Sequence, residues 1–139
     1  MLRVGVDIVD LKRLKRITAR YHVRFMKTFM TEQELTVSRR MLSSIGCCLA
    51  AKEAVAKVLG VGLSYLSENG IDFRDVEVAL AGKGGVDLSL KGKALEHAQK
   101  MNLTRWQATV SVELAYATAI VIAESAVAGN DVVTNLNAK

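Results

Sequence analysis

The sequence predicts an α+β domain in which a mainly antiparallel sheet packs on one long central helix. Three observations carry this. Residues 2–9, LRVGVDIV, alternate Val4, Val6 and Ile8 with Gly5 and Asp7, the period of a strand. Residues 41–59 contain no helix breaker except Gly46 and are apolar nearly all round, as a central helix is. The second half holds paired strand-like runs joined by short turns, so the order β-α-α-α-β-β-α-β-β favours antiparallel neighbours over alternating βα units.

Each element follows from local signals. Asp10 caps a helix in which Leu11, Leu14 and Ile17 recur at helical spacing among Lys12, Arg13, Lys15, Arg16 and Arg20. Thr31 followed by Glu34 is a capping-box pattern and starts a short helix. The long helix over 41–59 ends on Gly60. FRDVEVALA (73–81) reads as a strand, GKGG (82–85) as a turn and VDLSL (86–90) as its partner strand. Residues 90–101 read as a helix, and 105–113 and 115–124 as a final pair of strands. One domain over residues 1–125 accounts for all of this, with 126–139 set apart as a flexible tail.

Composition excludes several classes. Of 139 residues half are hydrophobic and 24% charged, enough for a core and unlike a disordered chain. Cys47 and Cys48 are adjacent and have no third cysteine to pair with, which points to a reduced compartment. Neither has a His or carboxylate at zinc-ligand spacing. The start is too short and too acidic for a signal peptide, and AYATAIVIA is about half a membrane span. A cytoplasmic protein that does not enter a membrane is expected. Residues 1–40 hold ten Lys and Arg against Asp7, Asp10, Glu32 and Glu34, and the rest of the chain is near balance. That field attracts an acidic partner. Nucleic acid is a weak fit, because only Tyr21 and Phe25 interleave the basic stretch 12–27.

The chemistry concentrates in AAKEAVAKVLGVG (50–62). Leu42, Ile45 and Leu49 form one helical stripe, and Glu53 falls near its centre. A poorly hydrated carboxylate needs a cation or hydrogen-bond donors. Two readings stand. Glu53 pairs with Lys57 at i+4 in a partly exposed ion pair. Alternatively Glu53 is a metal ligand with Asp7 of the first strand as the second carboxylate, Lys57 facing phosphates, and Gly60 and Gly62 admitting them closely.

GVDIVDLKRL, RF at Arg24–Phe25, MTEQEL at 30–35 and AAKEAVAKVLGVG, followed in order by FRDVEV, LKGKA and SVELAYATAIVIAE, together resemble the holo-(acyl-carrier-protein) synthases. These are the short members of the 4′-phosphopantetheinyl transferase family. The resemblance implies transfer of the phosphopantetheine arm of coenzyme A to a serine of apo acyl carrier protein, with release of adenosine 3′,5′-bisphosphate. It implies Asp7 and Glu53 as ligands of Mg²⁺ or Mn²⁺, and Lys57 as the catalytic-site lysine. Lys52, Lys57, Gly60, Gly62 and Lys83 are expected along coenzyme A. It further implies a homotrimer with clefts between subunits, and docking of an acidic carrier on Arg13, Arg16, Arg20 and Arg24. The sequence departs from the family pattern at three places. Cys48 stands where an arginine is usual, Gly85 where a basic residue is usual, and Val112 where a histidine is usual. A paralogue that binds coenzyme A or a carrier without transfer is the alternative these departures keep open.

Overall fold

The computed structural model describes residues 1–38, 41–63 and 68–126, with His22 and Val23 by backbone alone. The tail expected over 126–139 lies, beyond Ala126, outside the described residues.

Strand β1 (Leu2–Asp10) leads directly into helix α1 (Leu11–Phe29). Asp10 accepts hydrogen bonds from the Lys12 and Arg13 amides, filling two orphan donors of the first turn. Helix α2 (Glu32–Val37) opens with the expected capping box between Thr31 and Glu34. Helix α3 (Leu42–Leu59) ends at Gly60, whose φ of 69° is the left-handed conformation a helix C-terminus uses. Strands β2 (Val76–Leu80) and β3 (Gly85–Leu90) form a hairpin, α4 (Gly92–Lys100) follows, and β4 (Leu103–Glu113) and β5 (Tyr116–Ser125) close the chain. The predicted element order holds. The largest boundary difference is at Phe73–Asp75, a single 3₁₀ turn, because the Asp72 carboxylate caps Arg74 N–H and a strand starts only at Val76; the other ends shift by one or two residues.

The five strands form one sheet in the order β1-β5-β4-β3-β2, every neighbour antiparallel. The first and last strands are therefore adjacent, and Ser125 N–H donates to Met1 O. The inner face of β5 carries Ala117, Ala119, Val121 and Ala123, all buried. These small side chains let α3 lie close to the sheet. At Gly5 the approach is closest, since a Cβ there would stand 2.0 Å from Ala54 O. Gly46 sits under Leu11 in the same way and does not break the helix. On the outer face, Val4, Val6 and Ile8 of β1 and Ile120 and Ile122 of β5 are exposed.

A buried ion pair joins the layers. Lys52 Nζ lies 2.8 Å from Glu34 Oε2, with side-chain exposures of 0% and 1%. The ammonium also donates to Phe29 O and Phe73 O, and Glu34 accepts from the Thr31 and Val78 amides. Every donor of Lys52 is used, as a dry ammonium requires. Cys48 packs beside this pair, and its burial, reinforced by the Glu34 charge, pushes its thiol up to about 12. Cys47 is also buried and raised by burial, and both thiols are free. Trp106 is half-buried against the core from β4.

Candidate active site

Asp7 lies on the inner face of β1, two residues from Gly5, where the strand touches α3. That contact brings it to the C-terminal half of the long helix. Lys57 donates to Asp7 Oδ1 and to Val6 O, each at 2.7 Å. The Asp7 side chain is 10% exposed and that of Lys57 53%. The ion pair expected between Glu53 and Lys57 is not the one formed. Lys57 reaches across to the strand, because a carboxylate and a carbonyl together satisfy two of its donors. The Glu53 carboxyl is raised above its ordinary value, first by burial and then by the negative charge of Asp7, with Lys57 and Arg13 opposing. Asp7, Glu53 and Lys57 thus form one electrostatic cluster.

The two carboxylates open on a cleft of about 410 Å³ whose walls include Asp10, Arg13, Ile17 and Phe25. Beside it an apolar hollow of about 280 Å³ is walled by Phe25, Phe29, Leu49 and Phe73, and Glu53 borders both. Among the described residues no group of three or more His, Cys, Asp and Glu side chains gathers to hold a metal. The donor set is the carboxylate pair. Two hard oxygen donors on an open cleft fit a Mg²⁺-like ion, which keeps waters and shares its shell with phosphate oxygens. Glu53 is raised by burial and then by repulsion from Asp7, and such a cation would offset both.

The other expected residues divide. Arg13 reaches the cleft wall. Taking Leu11 as zero, Arg16, Arg20, Arg13 and Arg24 fall at about 140°, 180°, 200° and 220° around α1. They form one exposed basic stripe opposite the face that buries Leu11, Leu14, Met26 and Phe29. Lys52 must be corrected. Its ammonium is consumed by Glu34 and two carbonyls inside the core and is not presented to a ligand. Gly60 stands at the exposed end of α3, with Arg3 Nη2 3.0 Å from the position of an added Cβ. Gly62 accepts from Ile71 N–H at 3.0 Å. Lys83 occupies the turn between β2 and β3 with φ of 62°. Through the register Gly85–Thr109–Ile120–Val6 it is three strands from β1, roughly 14 Å within one chain. It does not join the carboxylate cluster there.

The departures are also placed. Cys48 faces the core next to Lys52, not the cleft. Gly85 starts β3 opposite Thr109, and Val112 is exposed near the end of β4 opposite Ala117. His97 is half-buried on α4, and the side chain of His22 is outside the described residues. Two contributors were missed from sequence. Arg3 shares the inner face of β1 with Gly5 and Asp7, a parity visible in LRVGVD. The Thr31–Glu34 motif gives Glu34 as a cap, and nothing in it signals a second role as the partner of Lys52.

Residues 3–121 match the family model described as the 4′-phosphopantetheinyl transferase superfamily. Holo-[acyl-carrier-protein] synthase from Alkalilimnicola ehrlichii is 35% identical over 126 residues, covering 88% of this chain and 95% of the relative. The protein of that name from Herpetosiphon aurantiacus is 34% identical over 113 residues, covering 80% and 89%. Among solved structures, Helicobacter pylori holo-[acyl-carrier-protein] synthase in complex with coenzyme A superposes with a TM-score of 0.75 at 26% identity, covering 87% of this chain and 99% of that one. The Neisseria meningitidis enzyme gives 0.76 at 25% identity, covering 88% and 98%. The chain belongs to the 4′-phosphopantetheinyl transferase superfamily.

Proposed function

We propose that the chain is a Mg²⁺-dependent holo-[acyl-carrier-protein] synthase, moving the 4′-phosphopantetheine arm of coenzyme A to a serine of an apo acyl carrier protein. The observation that carries the reading is one charged cluster of Asp7, Glu53 and Lys57, its two carboxylates on one cleft, in a chain of this family. The serine oxygen forms a new bond to the β-phosphorus, and the bond from that phosphorus to the bridging oxygen breaks. Adenosine 3′,5′-bisphosphate leaves. A divalent ion held by Asp7 and Glu53 would supply charge neutralisation for the diphosphate.

The chain's own residues supply the rest. Lys57 is half exposed and faces the cluster, so its ammonium can turn from Asp7 to the departing phosphate. Glu53, which borders the cleft, or a water ordered beside it, accepts the serine proton. Arg13, Arg16, Arg20 and Arg24 present a positive stripe to an acidic carrier beside the cleft. The apolar outer face of β1 and β5 supports assembly as a homotrimer. Such packing would let Lys83 of one subunit serve a neighbour's cleft.

Purified protein incubated with Mg²⁺, coenzyme A and an apo carrier should raise the carrier's mass by one phosphopantetheine. Coenzyme A binding without a mass increase on any of several carriers would overturn the transfer reading.

A further inference from the structure

Arg3 is a cation that the mechanism above leaves unused. It extends from the inner face of β1, in line with Gly5 and Asp7, toward the last turn of α3. Its Nε donates to Val58 O, and Nη2 lies over the open side of Gly60. Among the described residues that is the one hydrogen bond of a group with five donors. The residue is half-buried, so its position is fixed by the helix end and the strand together. Asp7 is four residues along the same face, roughly 14 Å away at strand rise. Gly60 is three residues beyond Lys57, about 4.5 Å along the helix axis. The seam between β1 and α3 therefore carries Lys57 and the carboxylates at one point and a second cation at its end.

We infer that Arg3 is a specificity contact for the 3′-phosphate of coenzyme A. The inference rests on the transferase reading and deepens it. With the diphosphate at Asp7, Glu53 and Lys57, the nucleotide end runs along the seam toward Gly60. Glycine there leaves the guanidinium uncovered by any side chain. The free edge of the guanidinium offers paired N–H donors, the geometry that phosphate oxygens accept in a bidentate way. The bond to Val58 O holds the plane in place before the ligand arrives, which lowers the ordering cost of binding. A cation that merely capped α3 would satisfy the helix carbonyls and be indifferent to the ligand. The 3′-phosphate is the group that separates these two roles.

The test is calorimetric titration of coenzyme A and of dephospho-coenzyme A, which has a 3′-hydroxyl, in the presence of Mg²⁺. The wild-type chain should prefer coenzyme A by roughly tenfold or more. Arg3→Gln keeps a donor for Val58 O and should erase that preference while leaving affinity for dephospho-coenzyme A unchanged. Arg3→Lys keeps the charge and should retain part of it. Equal weakening of both ligands in Arg3→Gln, or a preference that survives it, overturns the inference and leaves the transferase reading standing. Failure of the wild-type chain to bind either ligand overturns both. Circular dichroism of each variant establishes that the fold is intact, and Arg3→Lys answers the question if Arg3→Gln does not fold.

Discussion

Lys57 holds Asp7, not Glu53: its ammonium bridges the Asp7 carboxylate and the Val6 carbonyl at 2.7 Å each. A lysine that ties strand to helix is also the cation nearest the carboxylates. Lys57→Ala should lower kcat on the order of 10²–10³-fold. The side chain is half exposed, so the protein should remain folded. Mass spectrometry of the carrier gives the rate, and thermal unfolding gives the fold.

Glu53 is held at a cost. Its carboxyl is raised above the ordinary 4.5 by burial and by Asp7, so the folded metal-free protein disfavours its charge. The sign follows directly: stability is lost as pH rises from the unfolded value through the higher folded one. Glu53→Gln should therefore unfold at a higher temperature than wild type at neutral pH without Mg²⁺. The gain should vanish below pH 4.5, where both states bind the proton. Transfer activity should fall on the order of 10²–10⁴-fold. A melting series against pH, with and without Mg²⁺, reads all three.

Breaking the Lys52–Glu34 pair from one side should be severe. Lys52→Ala strands a dry carboxylate and two carbonyls and should destabilise the protein by about 3–5 kcal/mol in urea unfolding. Lys52→Met combined with Glu34→Leu removes both charges and should recover much of that loss. Coenzyme A affinity in the double variant should stay near wild type, because the ammonium of Lys52 does not reach the cleft.

Cys48 should resist alkylation. With its thiol pushed up to about 12 and its side chain buried, it has almost no thiolate at pH 8. Iodoacetamide should leave the native protein unlabelled at Cys48 and label both cysteines in denaturant, as peptide mass mapping will record.

The arginine stripe should act through encounter. Replacing Arg16 and Arg20 by Ala should raise KM for an acidic carrier several-fold, more than it lowers kcat. Added salt should raise the wild-type KM and change that of the variant less. Initial rates at two ionic strengths suffice.

The fold was legible because its signals are local. Alternation in LRVGVDIV, the Thr31–Glu34 box and Gly60 after an apolar run each act within a few residues. Asp7 and Glu53 were legible for a different reason: isolated carboxylates among apolar neighbours have few uses. Lys52 was misjudged because sequence gives the angle of a side chain on its own helix but not what packs opposite. Here α2 supplies Glu34 from a distant part of the chain. Lys57 was half right, since its i+4 neighbour lost to a strand that no helical wheel contains. Arg3 was passed over because a single charge at a strand end carries no motif.

The contact at Gly5 has a thermodynamic side. Asp7 and Glu53 belong to segments far apart in the chain and meet only where β1 lies against Ala54 with no side chain between. An ion shared by the two carboxylates, as proposed above, would be a clasp on that long-range contact, stabilising the native chain in proportion to its occupancy. Metal affinity would then gauge whether the first strand has docked. Any residue larger than glycine at position 5 would be felt as weaker ion binding and a lower melting temperature together.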